Sequence, residues 1–266
     1  MKLRGRVALI TGAARGIGRA HALRLAGLGA AVVVNDIDLA SFKEYAESAG
    51  GASVVEEVRA KGVECLPIQA DVTNKENVEA LVRQALDAFG HIDILVNNAG
   101  GLAGQVLESF ASSVSEEDLR RTIDRNLLGT IFCSQAVAPS MKARGWGRIV
   151  NTSSQAGLQA QQGGVYASYG AAKAGVMAYT RYLAQELGPF GITVNCIVPA
   201  YVNTRRLQVL VYDAIPGVKD RLLEQIPLGR LAEPDDVAKA AEFFVTDLAD
   251  YVTGQCLIVC GGAIKF

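Results

Sequence analysis

Seven short runs rich in valine, isoleucine and leucine recur along the chain, near 7–11, 31–35, 64–69, 92–97, 147–153, 192–197 and 255–259, with helical patterns between them. Runs of this length, bounded by turn residues, fit buried strands, whereas apolar positions three and four apart fit helices packed by one face. Strands alternating with helices predict an α/β fold, a doubly wound parallel sheet of about seven strands with helices on both faces. In such a sheet the ligand lies beyond the carboxyl ends of the strands. Gly12, Asp36, Asp71, Asn98, Ser154 and Pro199 all fall at those ends.

Length and charge narrow the picture. A chain of 266 residues can bury about three quarters of its unfolded surface in one core, so a single domain over 1–266 is expected. A net charge of −1 and a pI near 6.2 give no electrostatic reason to bind nucleic acid or an anionic membrane. No apolar run reaches the roughly 18 residues that span a bilayer, and Met1 to Arg6 leads straight into the first strand. A soluble, cytoplasmic chain is expected. The five cysteines, Cys65, Cys133, Cys196, Cys256 and Cys260, lie in apolar segments without CxxC spacing, which favours reduced core thiols over a disulfide framework. Cys256 and Cys260 in one strand would be about 13 Å apart, too far to bridge. The two histidines, His21 and His91, fit no metal or Ser/His/Asp set and are read as structural.

Candidate chemistry begins where the first run breaks into Gly12-Ala-Ala-Arg15-Gly16-Ile17-Gly18. Glycines at 12, 16 and 18 let the backbone approach a pyrophosphate, whose charge then meets free N–H groups at a helix start. Asp36 follows the second run, eighteen residues beyond Gly18, with Ile37 beside it. A carboxylate there can accept from adenosine ribose hydroxyls and would repel a 2′-phosphate by about 4 kcal/mol per unit charge at about 4 Å and an effective dielectric near 20. NAD is therefore favoured over NADP. Arg15 argues the other way, since a guanidinium beside the turn can pair with a 2′-phosphate, although a surface salt bridge would equally occupy it. Further along, Tyr169 and Lys173 stand four residues apart in ASYGAAKAG, about one helical turn, so phenol and ammonium share a face. Bringing a tyrosine from about 10 to near neutrality takes roughly 4 kcal/mol, about what a lysine charge at about 4 Å supplies at that dielectric.

The order of these motifs resembles the short-chain dehydrogenase/reductase family in its compact form over essentially the whole chain. It rests on TGAARGIG at 11–18, Asp71-Val72, Asn97-Asn98-Ala99-Gly100, Asn126, Ser154, Tyr169 with Lys173, and Pro199. The resemblance implies a Rossmann-like fold and a nicotinamide cofactor. Asp71 would hold the adenine, and Asn98, Ala99 and Gly100 would pass the cofactor with backbone contacts. Pro199 to Thr204 would close over the nicotinamide, with the Val202 backbone and the Thr204 hydroxyl on its carboxamide. Tyr169 would exchange the proton with the substrate oxygen, and Lys173 would lower its pKa and hold the nicotinamide ribose. Ser154 would hydrogen-bond the carbonyl, and Asn126 would anchor a water leading from Lys173 to solvent. A homotetramer is implied too, with interfaces near 105–135 and 155–185.

Departures from the family pattern mark what is particular to this chain. Fifteen residues separate Ser154 from Tyr169, a small insertion over Gln155 to Val165, and Ser153 is the alternative to Ser154. Tyr166 is followed four residues on by Gly170 and not by a lysine, and Ala200 replaces the usual glycine after Pro199. The Ile37 to Gly51 connection is long, lies by the adenosine end, and precedes a helix expected over 52–61. A lid is expected near 203–228, where Leu207, Val209, Leu210, Val211, Tyr212 and Ile215 either line an apolar pocket or bury a lid helix. Gln155, Leu158, Gln159 and Gln162 would face substrate from the other side. No Lys/Arg cluster in the sequence demands a phosphorylated substrate. The expected substrate is a small molecule, a hydrophobic or alicyclic secondary alcohol and its ketone, with a hydroxyacyl thioester as the rival; a catalytically silent nicotinamide-binding sensor is the alternative of another class.

Overall fold

The structure is a computed structural model that describes residues 2–45 and 51–265. Its strands are β1 (Val7–Ile10), β2 (Ala31–Asp36), β3 (Cys65–Gln69), β4 (Ile94–Asn97), β5 (Gly147–Thr152), β6 (Ile192–Pro199) and β7 (Cys256–Val259). Its helices are α1 (Gly16–Gly27), α2 (Val54–Arg59), α3 (Lys75–Phe89), α4 (Glu116–Ile123), α5 (Gly129–Arg144), α6 (Ala167–Leu187), α7 (Arg205–Leu207), α8 (Val218–Glu224) and α9 (Pro234–Val245). All strand pairs are parallel, in the order β3-β2-β1-β4-β5-β6-β7. The expected doubly wound sheet is the one observed.

Alternation along the strands explains the two faces. Ala8 and Ile10 of β1 point into one core with Leu25 of α1, Val58 of α2 and Phe244 of α9. Val7 and Leu9 point into the other, with Leu81 of α3, Met141 of α5 and Leu187 of α6. The chain order reverses between β1 and β4, so their carboxyl ends open a crevice at the topological switch point.

Strand limits differ from the sequence reading by up to two residues, and one difference matters. The sixth strand runs to Pro199, which pairs in register with Val259 and is the strand's last residue, not a residue after it. A closing proline removes only a donor that the strand end does not need. The helix expected over 52–61 is shorter, because Ser53 and Glu56 form a capping box that starts it at Val54. Of the long Ile37 to Gly51 connection, residues 46–50 lie outside the described residues; before them, a turn at Ser41–Lys43 buries Phe42. Cys260 lies just past β7, so it and Cys256 do not share that strand. The five cysteines are free, and Cys196 faces Cys256 across the β6–β7 register.

Candidate active site

The glycine turn is shaped by close approach. Gly12 has φ +61, and a Cβ there would lie 2.8 Å from the Ala99 Cα; at Gly18 it would lie 2.0 Å from the Gly12 carbonyl oxygen. Asn98 braces the turn by donating from Nδ2 to the Thr11 and Gly12 carbonyls at 3.3 and 3.1 Å. The Thr11 hydroxyl accepts from the Asn98 and Ala99 N–H groups, both at 3.1 Å. Arg15, the N-cap residue of α1, makes no side-chain cap bond among the described residues, and the first turn carries no acidic residue to repel an anion. A dinucleotide pyrophosphate fits this cradle, with Gly12, Arg15, Gly16, Ile17 and Gly18 around it. Thr204 stands over the turn as well, its Cγ2 3.5 Å from where a Gly16 Cβ would be.

Asp36, 9% exposed, accepts from Ala14 N at 3.0 Å through Oδ2 and from Asp38 N at 3.3 Å through Oδ1. Burial raises its carboxyl from the usual range, opposed by the Ala14 and Asp38 donors and by the Arg15 charge. Ile37 beside it is exposed. Asp71 Oδ1 accepts from both the N–H and the hydroxyl of Thr73 at 2.9 Å, while Val72 is buried against Gly129. Arg15 pairs with Glu44 at 2.6 Å, the surface bridge that the sequence reading weighed against phosphate binding.

The four candidate catalytic side chains converge from separate elements. Ser154 follows β5; its hydroxyl accepts from Ala156 N at 3.3 Å and acts on the Tyr169 phenol of α6. Ser153 is directed elsewhere: its hydroxyl donates to the Lys173 carbonyl at 2.8 Å. Glycines let this loop sit against α6, since a Cβ at Gly157 would lie 2.7 Å from Ala174 N and one at Gly170 would lie 2.6 Å from the Ala156 carbonyl oxygen. Lys173, 3% exposed, donates from Nζ to the Thr152 carbonyl at 2.7 Å and stands 5.6 Å from the centre of the Tyr169 ring. Asn126 lies in a π-helical turn, Asp124–Leu128, between α4 and α5. Its Oδ1 accepts from Gly101 N at 2.9 Å, and its Nδ2 donates to the Gly101 and Thr122 carbonyls at 2.8 Å. This amide braces the loop after β4, and Lys173 Nζ lies on the same Gly100, 3.2 Å from the position of a Cβ.

Burial shifts both members of the pair. The Tyr169 phenol is pushed up to about 12, with the Ser154 hydroxyl and the Arg206 charge acting in the opposite sense. Burial also pushes Lys173 down to about 8. The shared helix face is as read, but the lysine charge is turned to a backbone carbonyl and the phenol has lost water.

Other parts of the site were not legible in the motifs. Tyr166 precedes α6 at φ +64, an outlier for an aromatic residue, with its N–H on the Ser109 hydroxyl at 3.0 Å and its ring edge-on to Tyr169 at 6.1 Å. Arg206 reaches from the lid to Gly101, its Nη1 3.6 Å from the position of a Cβ there. The lid is α7, a π-helical turn at Gln208–Tyr212, and α8. Leu207, Val211 and Tyr212 pack into a small cluster with Ile226 and Leu231, whereas Val209, Leu210 and Ile215 stay exposed. Leu207, Val211 and Tyr212 thus form the packed side of this segment. The Val202 carbonyl accepts from Thr204 N at 2.9 Å and the Tyr212 hydroxyl at 3.1 Å, and the Thr204 hydroxyl caps α7. Gln155 is buried and Leu158 packs against the Val176 cluster, while Gln159 and Gln162 are exposed. Among the described residues no His/Cys/Asp/Glu group could hold a metal ion, and no helix is long and apolar enough to cross a membrane.

Comparison with known proteins agrees with this geometry. A family model described as enoyl-(acyl carrier protein) reductase matches residues 12–263. The chain is 48% identical over 266 residues to cyclohexanol dehydrogenase of Rhodococcus sp. (strain TK6), covering 98% of this chain and 97% of that protein. It is 41% identical over 266 residues to 3-oxoacyl-(acyl-carrier-protein) reductase of Synechocystis sp., covering 99% of each. Among solved structures, NAD+-bound xylitol dehydrogenase superposes with a TM-score of 0.86 at 30% identity, over 98% of this chain and 100% of that one.

Proposed function

The chain belongs to the short-chain dehydrogenase/reductase family, and from that premise we propose that it moves a hydride between NAD(H) and a secondary alcohol or ketone of hydrophobic or alicyclic character. One observation carries this reading: Ser154, Tyr169 and Lys173 come together near the carboxyl end of β5, with Lys173 Nζ on the Thr152 carbonyl and 5.6 Å from the centre of the Tyr169 ring, and with the Ser154 hydroxyl acting on the phenol. A nicotinamide ring bound in the crevice supplies the acceptor or donor of the hydride. In oxidation the Tyr169 oxygen takes the alcohol proton as the C–H bond breaks; in reduction it returns that proton to the oxygen. Ser154 donates to the same oxygen, so charge developing there meets two aligned hydroxyls. Lys173 supplies a cation behind the phenol, and Asn126 holds the Gly101 segment that frames it.

NAD rather than NADP is favoured by the Asp36 carboxylate at the ribose end of the crevice, and the NAD+-bound neighbour accords with it. The alicyclic substrate is favoured by exposed Val209, Leu210 and Ile215 on the lid and by the cyclohexanol dehydrogenase relative. The rival substrate, a 3-oxoacyl or 3-hydroxyacyl thioester, draws support from the 3-oxoacyl reductase relative. Assembly as a homotetramer accords with the groove between α5 and α6, where Tyr182 is 79% exposed. The test is nicotinamide absorbance with NAD or NADP and a panel of cyclic alcohols, hydroxysteroids and hydroxyacyl thioesters. Turnover with NAD and cyclic alcohols supports the reading. Turnover confined to thioesters selects the rival, and tight NADH binding without turnover across the panel selects a sensor.

A further inference from the structure

Arg15 stands at the mouth of the glycine turn, where a guanidinium would serve a phosphate on the adenosine ribose. Its charge is already engaged. Nη1 lies 2.6 Å from Glu44 Oε2, and the guanidinium sits 4.9 Å from the centre of the Tyr45 ring. Tyr45 also acts to lower the Glu44 carboxyl, and its carbonyl accepts from Arg205 Nε at 3.4 Å, which ties this segment to α7. Two further charges face the pair: Asp36 from the end of β2 acts on Arg15, and Arg206 from α7 acts on Glu44.

We infer that Glu44 is a specificity-determining residue for the dinucleotide, holding Arg15 away from any 2′-phosphate. The inference rests on the reading of the crevice as a dinucleotide site. An incoming 2′-phosphate must take Arg15 from Glu44 and still meet the Asp36 carboxylate. A ribose with free hydroxyls needs neither change, because Asp36 alone can receive it. Glu44 lies in the long connection after β2, so it discriminates from outside the strand-end position that the sequence marks.

The test is direct titration of NADH and NADPH by nicotinamide fluorescence, without turnover, on wild type, Glu44→Gln, Arg15→Ala and the double variant, with thermal unfolding to establish that each is folded. Glu44→Gln should tighten NADPH about five- to tenfold, the worth of one partly exposed charged pair, and change NADH less than about twofold. The gain should vanish in the Arg15→Ala background and shrink as salt is added. An unchanged NADPH affinity in Glu44→Gln, with NADH still bound, overturns the inference and leaves the dinucleotide site standing. A gain that survives without Arg15 overturns it too, since Glu44 would then act by repulsion alone. Wild type that binds neither nucleotide removes the site itself.

Discussion

Acid should unfold this protein partly through one residue far from its chemistry. His21 lies on the inner face of α1, is 0% exposed, and neither ring nitrogen has a hydrogen-bond partner among the described residues. Burial pushes its imidazole from 6.5 down to about 4. Since the folded value is depressed, the stability linked to this group is fully present above pH 6.5. As pH falls below that, the unfolded chain takes up the proton first and stability drains away until about pH 4, where the folded protein begins to titrate too. The gap from 6.5 to about 4 corresponds to roughly 3 kcal/mol. His21→Leu, of similar volume, removes both the titration and two buried polar atoms without partners, each costing about 1 kcal/mol or more. The variant should be more stable than wild type at neutral pH by roughly 1–2 kcal/mol, with the advantage growing by roughly 3 kcal/mol near pH 4. Urea unfolding midpoints from pH 7.5 to 4 give both numbers when the slopes match. Parallel stability curves for the two proteins would refute the reasoning, because they would require His21 to titrate alike folded and unfolded.

Three other perturbations address the site. Tyr169→Phe should lower kcat about 10²- to 10⁴-fold, the usual worth of a positioned acid or base, while NADH affinity by fluorescence stays within about twofold; comparable turnover would remove Tyr169 from the chemistry. Asp36→Ala should narrow the ratio of NADPH to NADH dissociation constants by about tenfold or more, as one like-charge contact at an effective dielectric near 20 implies, and an unchanged ratio would assign the preference elsewhere. Arg206 acts to lower the Tyr169 phenol, so Arg206→Ala should move the rising, acidic limb of the pH profile for alcohol oxidation, where Tyr169 acts as base, to higher pH. A profile that stays in place would mean that the guanidinium turns away once the crevice is filled.

What the sequence made legible was the part written locally. Strand runs and glycine positions are properties of neighbours in the chain, so seven strands and the phosphate turn could be placed before any contact was known. The polar stitching between elements could not. Asn97 Nδ2 donates to Asn151 Oδ1 at 2.9 Å, and Asn151 passes the chain on to the Thr180 hydroxyl at 2.9 Å, linking β4, β5 and α6 through buried amides. Asn35 and Asn195 similarly reach the Ile68 and Val252 carbonyls. A hint was available, since asparagine stands in four of the largely apolar strand runs, at 35, 97, 151 and 195. Tyr166, Ser109 and Arg206 had no comparable signal, because their place in the site depends on a left-handed residue, a loop and a lid that come from distant parts of the chain.

The Tyr169 and Lys173 pair shows where spacing stops being chemistry. Helical geometry puts the ammonium within 5.6 Å of the phenol ring, as the sequence implies. Yet the two groups respond to burial in opposite senses, the phenol rising to about 12 and the ammonium falling to about 8. Each loses water, which disfavours its charged form. A neutral phenol suits proton donation, the step that ketone reduction needs; a phenolate base for alcohol oxidation needs additional positive charge beside Tyr169. The protein holds the two hydroxyls and the lysine in place, while the proton affinity used in turnover must be set by what else occupies the crevice.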